Sequence, residues 1–311
     1  MSVQPQLIAE ANFGARASAR RLPSVGWIVT TASGELAILD ERLALITRFE
    51  RSSTWRAGHW VTPSLEHAVF SERDRIVMAD RGGRTVWEVT HHPWGNSDSE
   101  SGSCWVGGDG QVVWATVPSV SGADEWWVLN AADGRVLGIA ALECFAAGSH
   151  PVPHPDGEHV GLSVGEGQDG SEVYWGRWDG RAHVSRLDAR DRVLCDIRPD
   201  GATYLATPHS GGELTVHAFP TGEVCARRSA HDAFGEDDGF DLSAGYVTND
   251  LVIVGSIEKE RHMLLSAEDL EVVAELDYPE DAMRSCILPT GLGTWSTCDW
   301  LTGRFQLWRT S

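Results

Sequence analysis

The sequence predicts an all-β fold, a single seven-bladed β-propeller with four-stranded antiparallel blades, and three observations lead there. A β-turn recurs at steps of 40 to 49 residues, with copies near positions 25, 65, 110, 157, 201, 250 and 291. Short apolar runs bounded by Gly and Asp-Gly pairs fill the intervals, as expected of strands joined by tight turns. The copies are evenly spaced and composition does not change along the chain, so residues 1–311 are predicted to form one propeller domain.

The recurring turn contains proline in five of its copies, and two further segments fit the same position without it. A turn that recurs at this interval marks the same corner of each blade, so the copies number the blades. The seven copies are Leu22-Pro23-Ser24, Thr62-Pro63-Ser64, Gly108-Asp109-Gly110, His154-Pro155-Asp156-Gly157, Arg198-Pro199-Asp200-Gly201, Thr248-Asn249-Asp250 and Leu288-Pro289-Thr290-Gly291.

Blades three, four and five show most clearly a pattern of four strands, named A to D in chain order, with the recurring turn between A and B. Gly and Asp-Gly pairs supply the backbone angles that the hairpin turns require. The predicted strands are residues 112–117, 125–130 and 135–140 in blade three, 159–164, 172–177 and 183–187 in blade four, and 193–197, 202–207, 213–219 and 223–228 in blade five.

The last blade is one strand short at the C-terminus. After its turn the sequence predicts strands over residues 293–298 and 305–309, and only Thr310 and Ser311 follow. An unpaired strand edge invites aggregation, and a propeller needs its first and last blades joined. We therefore expect residues 1–13 to supply the outer strand of blade seven.

The repeat resembles those of the WD-repeat propellers. The shared features are the Pro-Asp-Gly turn between strands A and B, a third strand that ends near Trp, and a Thr-Gly or Asp-Gly turn. The resemblance covers nearly the whole chain and implies the propeller fold. No repeat ends its third strand in Trp-Asp; the nearest matches are Trp178-Asp179, which lies in the turn, and Leu307-Trp308-Arg309. Most repeats also lack the Gly-His pair of the family, so the chain resembles a divergent relative.

The charge balance excludes two classes of partner. The chain has 45 acidic and 25 basic side chains, a net charge of −20. Nucleic-acid phosphates and anionic membrane surfaces both require a basic patch. The acidic surface is typical of a well-solvated exterior, and the alternative is a surface that attracts a basic partner.

The sequence also predicts a cytoplasmic protein. No segment approaches the roughly 18–20 apolar residues of a membrane span. Residues 1–21 mix Gln, Glu, Asn and Arg and contain no apolar signal core. The six cysteines include no Cys-x-x-Cys pair, which argues against a zinc knuckle. We expect a soluble monomer that requires no cofactor.

The long loops are predicted to carry the function. The A–B and C–D turns have two to four residues, so the longer B–C and D–A loops lie on the opposite face, together with one mouth of the central channel. For each candidate the alternative is structural: an exposed polar loop, or an aromatic side chain packed within a blade. The candidate binding residues are Trp55, His59, Trp60, His91, His92, Trp94, His150, His231 and Asp232.

Two sets of residues are candidates for a divalent metal. His231 with Glu236, Asp237 and Asp238 offers carboxylates that suit Ca²⁺, although the spacing does not match a calcium-binding loop. His59, Cys104 and Cys195, with His150 one position out of register, offer ligands for zinc on predicted inner strands. Apolar residues two positions further along share their side of each strand, which favours packing between blades instead.

Three functions remain open. The leading hypothesis is a non-catalytic scaffold that presents an acidic, loop-rich face to a protein or peptide partner, with a basic partner as one option. The first alternative is a metal-dependent lyase or hydrolase at the channel mouth, and the second is a small-molecule binder with an aromatic pocket. The sequence contains no Gly-x-Ser-x-Gly elbow and no phosphate-binding loop, and it assigns no catalytic residue.

Overall fold

The computed structural model describes residues 1–50, 58–95, 102–120, 122–144, 148–167, 170–279, 286–299 and 301–310. Within these ranges the chain forms 29 strands and one short helix, and the strands form seven sheets. Each sheet contains an antiparallel set of four neighbouring strands, so the all-β prediction is confirmed. We call these sheets blades one to seven and keep the strand names A to D.

The blades divide between two units. The three-blade unit, Thr47–Val193, contains blades two, three and four, and the four-blade unit, Met1–Ile46 with Leu194–Ser311, contains blades six and seven and most of blades one and five. The strands of the three-blade unit are β7 (Gly58–Val61), β8 (His67–Ser71), β9 (Arg75–Asp80) and β10 (Thr85–Thr90) in blade two; β11 (Cys104–Val106), β12 (Val112–Val117), β13 (Glu125–Asn130) and β14 (Val136–Ala141) in blade three; and β15 (Gly148–Pro153), β16 (His159–Gly165), β17 (Ser171–Trp178) and β18 (Ala182–Arg186) in blade four.

The four-blade unit begins with the N-terminal strands and resumes after blade four. Its first strands are β1 (Ser2–Val3) and β2 (Gln6–Asn12), followed by blade one: β3 (Ser18–Leu22), β4 (Gly26–Thr30), β5 (Leu36–Asp40) and β6 (Leu45–Phe49). The later strands are β19 (Val193–Ile197), β20 (Thr203–Thr207), β21 (Glu213–Ala218) and β22 (Val224–Ser229) in blade five; β23 (Gly245–Tyr246), β24 (Leu251–Gly255), β25 (His262–Ser266) and β26 (Val272–Leu276) in blade six; and β27 (Cys286–Pro289), β28 (Thr294–Asp299) and β29 (Arg304–Arg309) in blade seven.

Burial follows strand position within a blade. In blade one the B strand carries Trp27, Ile28 and Val29, all fully buried, whereas Leu45 and Ile46 of the D strand are 50% and 47% exposed. A strand covered on both faces must carry apolar side chains at consecutive positions. This explains why the B and C strands appear in the sequence as unbroken apolar runs, while the D strands mix apolar and charged residues.

The N-terminal segment closes blade seven, as the sequence predicted. Strand β2 pairs antiparallel with β29, from Gln6 opposite Arg309 to Asn12 opposite Arg304. Beyond the strand, the Phe13 N–H donates a 2.9 Å hydrogen bond to the Gly303 carbonyl. The edge that the last blade would otherwise expose is therefore covered.

Two elements were not predicted. Strand β1 adds to blade six by pairing parallel with β26, with Ser2 opposite Glu275. A five-residue helix, α1 (Ala230–Phe234), lies between blades five and six where the sequence indicated only an acidic loop. The Ser229 side chain caps this helix by accepting the Asp232 N–H at 3.1 Å.

Candidate functional site

A groove opens between blades five and six of the four-blade unit, with a volume of about 430 Å³. It lies where the A–B turns of both blades approach the C–D turn of blade six. Its size falls within the range of ligand-binding pockets, roughly 300–1,000 Å³. The lining residues are Arg198, Thr203, Val216, Cys225, Asn249, Asp250, Ser266, Ala267 and Glu268.

Hydrogen bonds between the two blades fix the walls of the groove. The Asn249 side-chain oxygen accepts the backbone N–H of Asp200 at 3.2 Å, which ties the A–B turn of blade six to that of blade five. The Thr203 and Tyr246 hydroxyls are 3.0 Å apart and join the same two blades. These hydrogen bonds therefore connect the two blades at the walls of the groove.

The groove is negatively charged. Arg198 is already engaged, because its Nε lies 2.9 Å from each carboxylate oxygen of Asp200. This pairing raises the pKa of Arg198 and lowers the pKa of Asp200. Asp250 and Glu268 are exposed on the rim, and within the described residues neither forms an ion pair. Asp200 and Asp250 thus both act electrostatically on the Arg198 guanidinium, and Glu268 lines the same groove.

Three of the nine lining residues are apolar: Val216, Cys225 and Ala267. Val216 and Ala267 are 2% and 4% exposed and pack in the same buried cluster of blades five and six. Cys225 is exposed beside them on strand D of blade five. A groove that combines apolar and acidic side chains suits a side chain with an aliphatic stem and a positively charged end.

A buried carboxyl group lies next to this groove. The backbone N–H of Tyr246 donates to Asp196 Oδ2 at 2.7 Å, and the N–H of Ile197 donates to Oδ1 at 2.8 Å. Burial raises the pKa of Asp196 to about 7, although both amides and the charge of Arg21 act in the opposite direction.

The binding residues predicted in the three-blade unit are partly buried in the fold. His59 and Trp60 lie on β7 and are 5% and 4% exposed, and Trp94, after β10, is 3% exposed. His91 is half-buried, with Nδ1 2.6 Å from the carbonyl oxygen of His92, which is itself exposed.

Three further predicted residues belong to the three-blade unit. His150 is exposed on β15. Trp55 lies outside the described residues. The predicted zinc ligand Cys104 is buried on β11, where its thiol donates to the Val69 carbonyl at 3.5 Å.

The predicted residues of the four-blade unit lie on and after α1. His231 and Asp232 are exposed on the helix, and the Ser229 hydroxyl donates to the Asp232 carboxylate at 2.6 Å. Glu236 and Asp237 are exposed, whereas the Asp238 side chain is fully buried. Its Oδ1 accepts the N–H groups of Gly239 and Glu258 at 2.8 and 3.2 Å.

A different set of residues has the geometry to hold a metal ion. Within the described residues, one set of three potential ligands has its donor atoms within 4.8 Å of one another: His154, Asp156 and His159. They belong to the A–B turn of blade four, which in the sequence serves to number the blades. The spacing His-x-Asp-x-x-His is the signal that the sequence offers for this cluster, and the ordinary role of Asp in a turn masks it.

The sequence matches no protein-family model and no curated protein. The solved structures that are similar over nearly the full length include two propeller proteins of different sources. The β-propeller domain of Cps50 (Swd1) from Myceliophteria thermophila aligns with a TM-score of 0.66 at 11% identity, covering 97% of this chain and 99% of that one. BamB from Moraxella catarrhalis aligns with a TM-score of 0.56 at 12% identity, covering 98% and 99%.

The chain has the seven-bladed β-propeller fold. The predicted blade count and the closure by the N-terminal strand are thereby confirmed. At these identities the likeness concerns the fold alone, since propellers host unrelated functions. No helix in the described part of the chain has the length and apolarity needed to cross a membrane.

Proposed function

We propose that this propeller is a non-catalytic interaction scaffold, and that its groove between blades five and six binds a basic segment of a partner protein. The observation that carries the proposal is that Asp250 and Glu268 line the groove together with apolar side chains, while the guanidinium of Arg198 is already paired with Asp200. A Lys or Arg side chain can pack its stem on Val216 and Ala267 and place its charge at Asp250 and Glu268.

The charge distribution favours a cation over an anion in the groove. Asp200 neutralises Arg198, which leaves the two rim carboxylates to interact with an incoming group. The net charge of −20 adds a long-range attraction for basic partners and raises their rate of association.

The contribution of each rim carboxylate is modest because both are exposed. An exposed ion pair contributes about 0.2–1 kcal/mol. Two such pairs together change affinity by roughly tenfold. The groove therefore supports specificity for a basic side chain, and the affinity of a whole peptide must also come from its neighbouring contacts.

Other expectations from the sequence belong to the same proposal. The chain is a divergent relative of the WD-repeat propellers, supported by the A–B turns and the seven blades; it is cytoplasmic, monomeric and needs no cofactor for this binding. The acidic segment after α1, with Asp237 exposed, provides a second acidic surface on the loop-rich side.

A peptide selection tests the groove. A random peptide library is displayed on phage and selected against the full chain, and the affinities of selected peptides are measured by fluorescence anisotropy. We expect selected sequences to be enriched in Lys and Arg. The double variant Asp250→Asn/Glu268→Gln is expected to weaken their binding about tenfold, from the loss of two rim charges.

The matched control removes two charges from the segment after α1. Glu236→Gln/Asp237→Asn makes the same change in charge, and Asn tolerates the positive φ of 61° at position 237. This control is expected to leave peptide affinity within about twofold. Weaker binding in the control but not in the groove variant would move the site to the loop-rich face, and selection without Lys or Arg enrichment would contradict the basic partner.

A further inference from the structure

We propose that the A–B turn of blade four is a binding site for a divalent transition-metal ion of the Zn²⁺ class, with His154, Asp156 and His159 as its protein ligands. These residues differ from the metal candidates named from the sequence. They also lie in the three-blade unit, so the site is independent of the groove between blades five and six.

The three donor atoms converge on one point. Asp156 Oδ2 lies 3.0 Å from His154 Nδ1 and 2.7 Å from His159 Nδ1. A tetrahedral zinc ion with bonds of about 2.0–2.2 Å separates its ligand atoms by roughly 3.3 Å. Small movements of the two imidazoles away from the carboxylate are therefore enough to admit the ion.

The turn orients the carboxylate toward the imidazoles. Asp156 Oδ1 accepts the backbone N–H groups of Glu158 and His159, each at 2.9 Å, so Oδ2 is left to face the rings. The turn is closed by hydrogen bonds from the Gly157 N–H to the His154 carbonyl at 3.0 Å and from the His154 N–H to the His159 carbonyl at 3.1 Å. The two histidines thus flank one tight hairpin.

Contacts outside the turn hold this arrangement in place. The Gly108 N–H of blade three donates to the Gly157 carbonyl at 3.1 Å. A Cβ at Gly108 would lie 2.9 Å from the Gly157 Cα, so the close approach requires glycine. His154 is 7% exposed and packs edge-on against Trp175, with ring centroids 6.3 Å apart. One ligand is therefore buried and fixed, while Asp156 and His159 face the solvent from which an ion would enter.

The electrostatics favour a cation at this point. Asp156 Oδ2 lies between two imidazole nitrogens, 3.0 Å from His154 Nδ1 and 2.7 Å from His159 Nδ1. A carboxylate oxygen and two imidazole nitrogens grouped in this way can share one divalent cation as its ligands. His154 Nδ1 also accepts the Asp156 N–H at 3.3 Å, so this nitrogen faces the same turn as the carboxylate.

The ligand types select the class of ion. Two imidazole nitrogens and one carboxylate oxygen are typical ligands of Zn²⁺, Co²⁺ and Ni²⁺, whereas Ca²⁺ and Mg²⁺ prefer sites made entirely of oxygen. Three protein ligands leave at least one coordination position for water or for a donor atom of a bound molecule.

Metal titration of the full chain tests the site. The protein is stripped with chelator, and Zn²⁺ binding is measured by isothermal titration calorimetry, with Co²⁺ absorption reporting the ligand geometry. We expect one Zn²⁺ per chain, at least tenfold weaker binding in His159→Gln and in Asp156→Asn, and no competition from Ca²⁺ or Mg²⁺. Asn preserves the turn, because its side-chain oxygen can still accept the two amides.

The control is His183→Gln in the same blade. His183 Nε2 lies 2.8 Å from Asp179 Oδ1, a similar His–Asp pair that lacks a third ligand. Urea unfolding monitored by Trp fluorescence checks that each variant is folded. Zn²⁺ binding that is unaffected by both site variants, or no binding tighter than about 1 mM in the folded wild type, would show that the three residues only hydrogen-bond within the turn.

Discussion

The backbone N–H of Tyr246 donates a 2.7 Å hydrogen bond to Asp196 Oδ2 and so joins the inner strands of blades six and five. The preceding residue must be glycine, since a Cβ at position 245 would lie 2.6 Å from that same oxygen. The carboxyl group is buried although part of the residue remains accessible. It therefore titrates in an unusual range, which makes this contact between blades sensitive to pH.

Stability is expected to fall as pH rises from about 4 to 7 because of Asp196. Its pKa is about 7 in the folded chain against 3.8 as the ordinary value. Within this window the unfolded chain has released the proton and the folded chain has kept it, so rising pH favours unfolding, and the effect ends above the folded pKa. The full shift corresponds to at most about 4 kcal/mol.

Urea unfolding at several pH values measures this effect. In Asp196→Asn, one of the two backbone N–H groups that bind the carboxyl group loses its acceptor, so the free energy of unfolding should fall by about 1–2 kcal/mol. The variant should also flatten the pH dependence of stability between pH 4 and 7. The exposed control Asp237→Asn should keep the slope of the wild type. Equal slopes in all three proteins would show that Asp196 is not protonated in the folded chain.

The closure of blade seven by the N-terminal segment can be tested at Gly303. Its φ is +71°, and a Cβ there would lie 1.8 Å from the Gly14 carbonyl oxygen. Gly293 has a similar φ of +86° with nothing within 4 Å of its Cβ position. Gly293→Ala is expected to cost about 1–2 kcal/mol from backbone strain, and Gly303→Ala at least about 3 kcal/mol because it also displaces residues 13–14.

Thermal or urea unfolding compares the two alanine variants directly. Limited proteolysis adds a local readout, since displacement of the segment exposes its peptide bonds. Equal stability of the two variants, with the N-terminus equally protected, would contradict closure by this contact.

Local patterns account for the part of the fold that the sequence predicted. The predicted strands 112–117, 125–130 and 193–197 coincide with β12, β13 and β19, because apolar runs and turn residues are both local signals. The N-terminal closing strand followed from the missing strand of the last blade. The two-residue strand β1 and the helix α1 could not be predicted in this way. Strand β1 depends on a partner strand that is distant in sequence, and α1 depends on a single capping serine.

The candidate sites were harder to predict for a physical reason. Arg198 and Asn249 line one groove but are separated by 51 positions in the chain, and only the packing of two blades brings their turns together. Similarly, the turn chemistry of Asp156 explains its presence without any ligand. The role of Asp156 as a shared neighbour of two imidazoles appears only when the hairpin places His154 and His159 side by side.

A redox reaction is expected at Cys286 and Cys298, which lie directly opposite each other on β27 and β28. The Cys286 thiol donates a hydrogen bond to the Cys298 sulfur, which raises the pKa of Cys286 and lowers that of Cys298. Neighbours on paired strands have the separation that a disulfide requires. Diamide should oxidise the pair, with two hydrogens passing from the thiols to diamide.

Mass spectrometry of alkylated protein counts the remaining thiols. All six cysteines are free in the structure. The Cys225→Ser variant has five thiols, and diamide should remove two of them and leave three. Cys286→Ser should lose none under the same conditions. A full set of thiols after treatment of the folded wild type would contradict the expected pairing.

Alkylation of Cys225 is the measurement that tests the central claim most directly. This thiol is exposed and lines the groove between blades five and six. At a Lys- or Arg-rich selected peptide concentration of about ten times its Kd, roughly 90% of the grooves are occupied, and the alkylation rate of Cys225 should fall about tenfold. A rate that stays unchanged while anisotropy shows the peptide bound would place the peptide elsewhere and contradict the groove as the binding site.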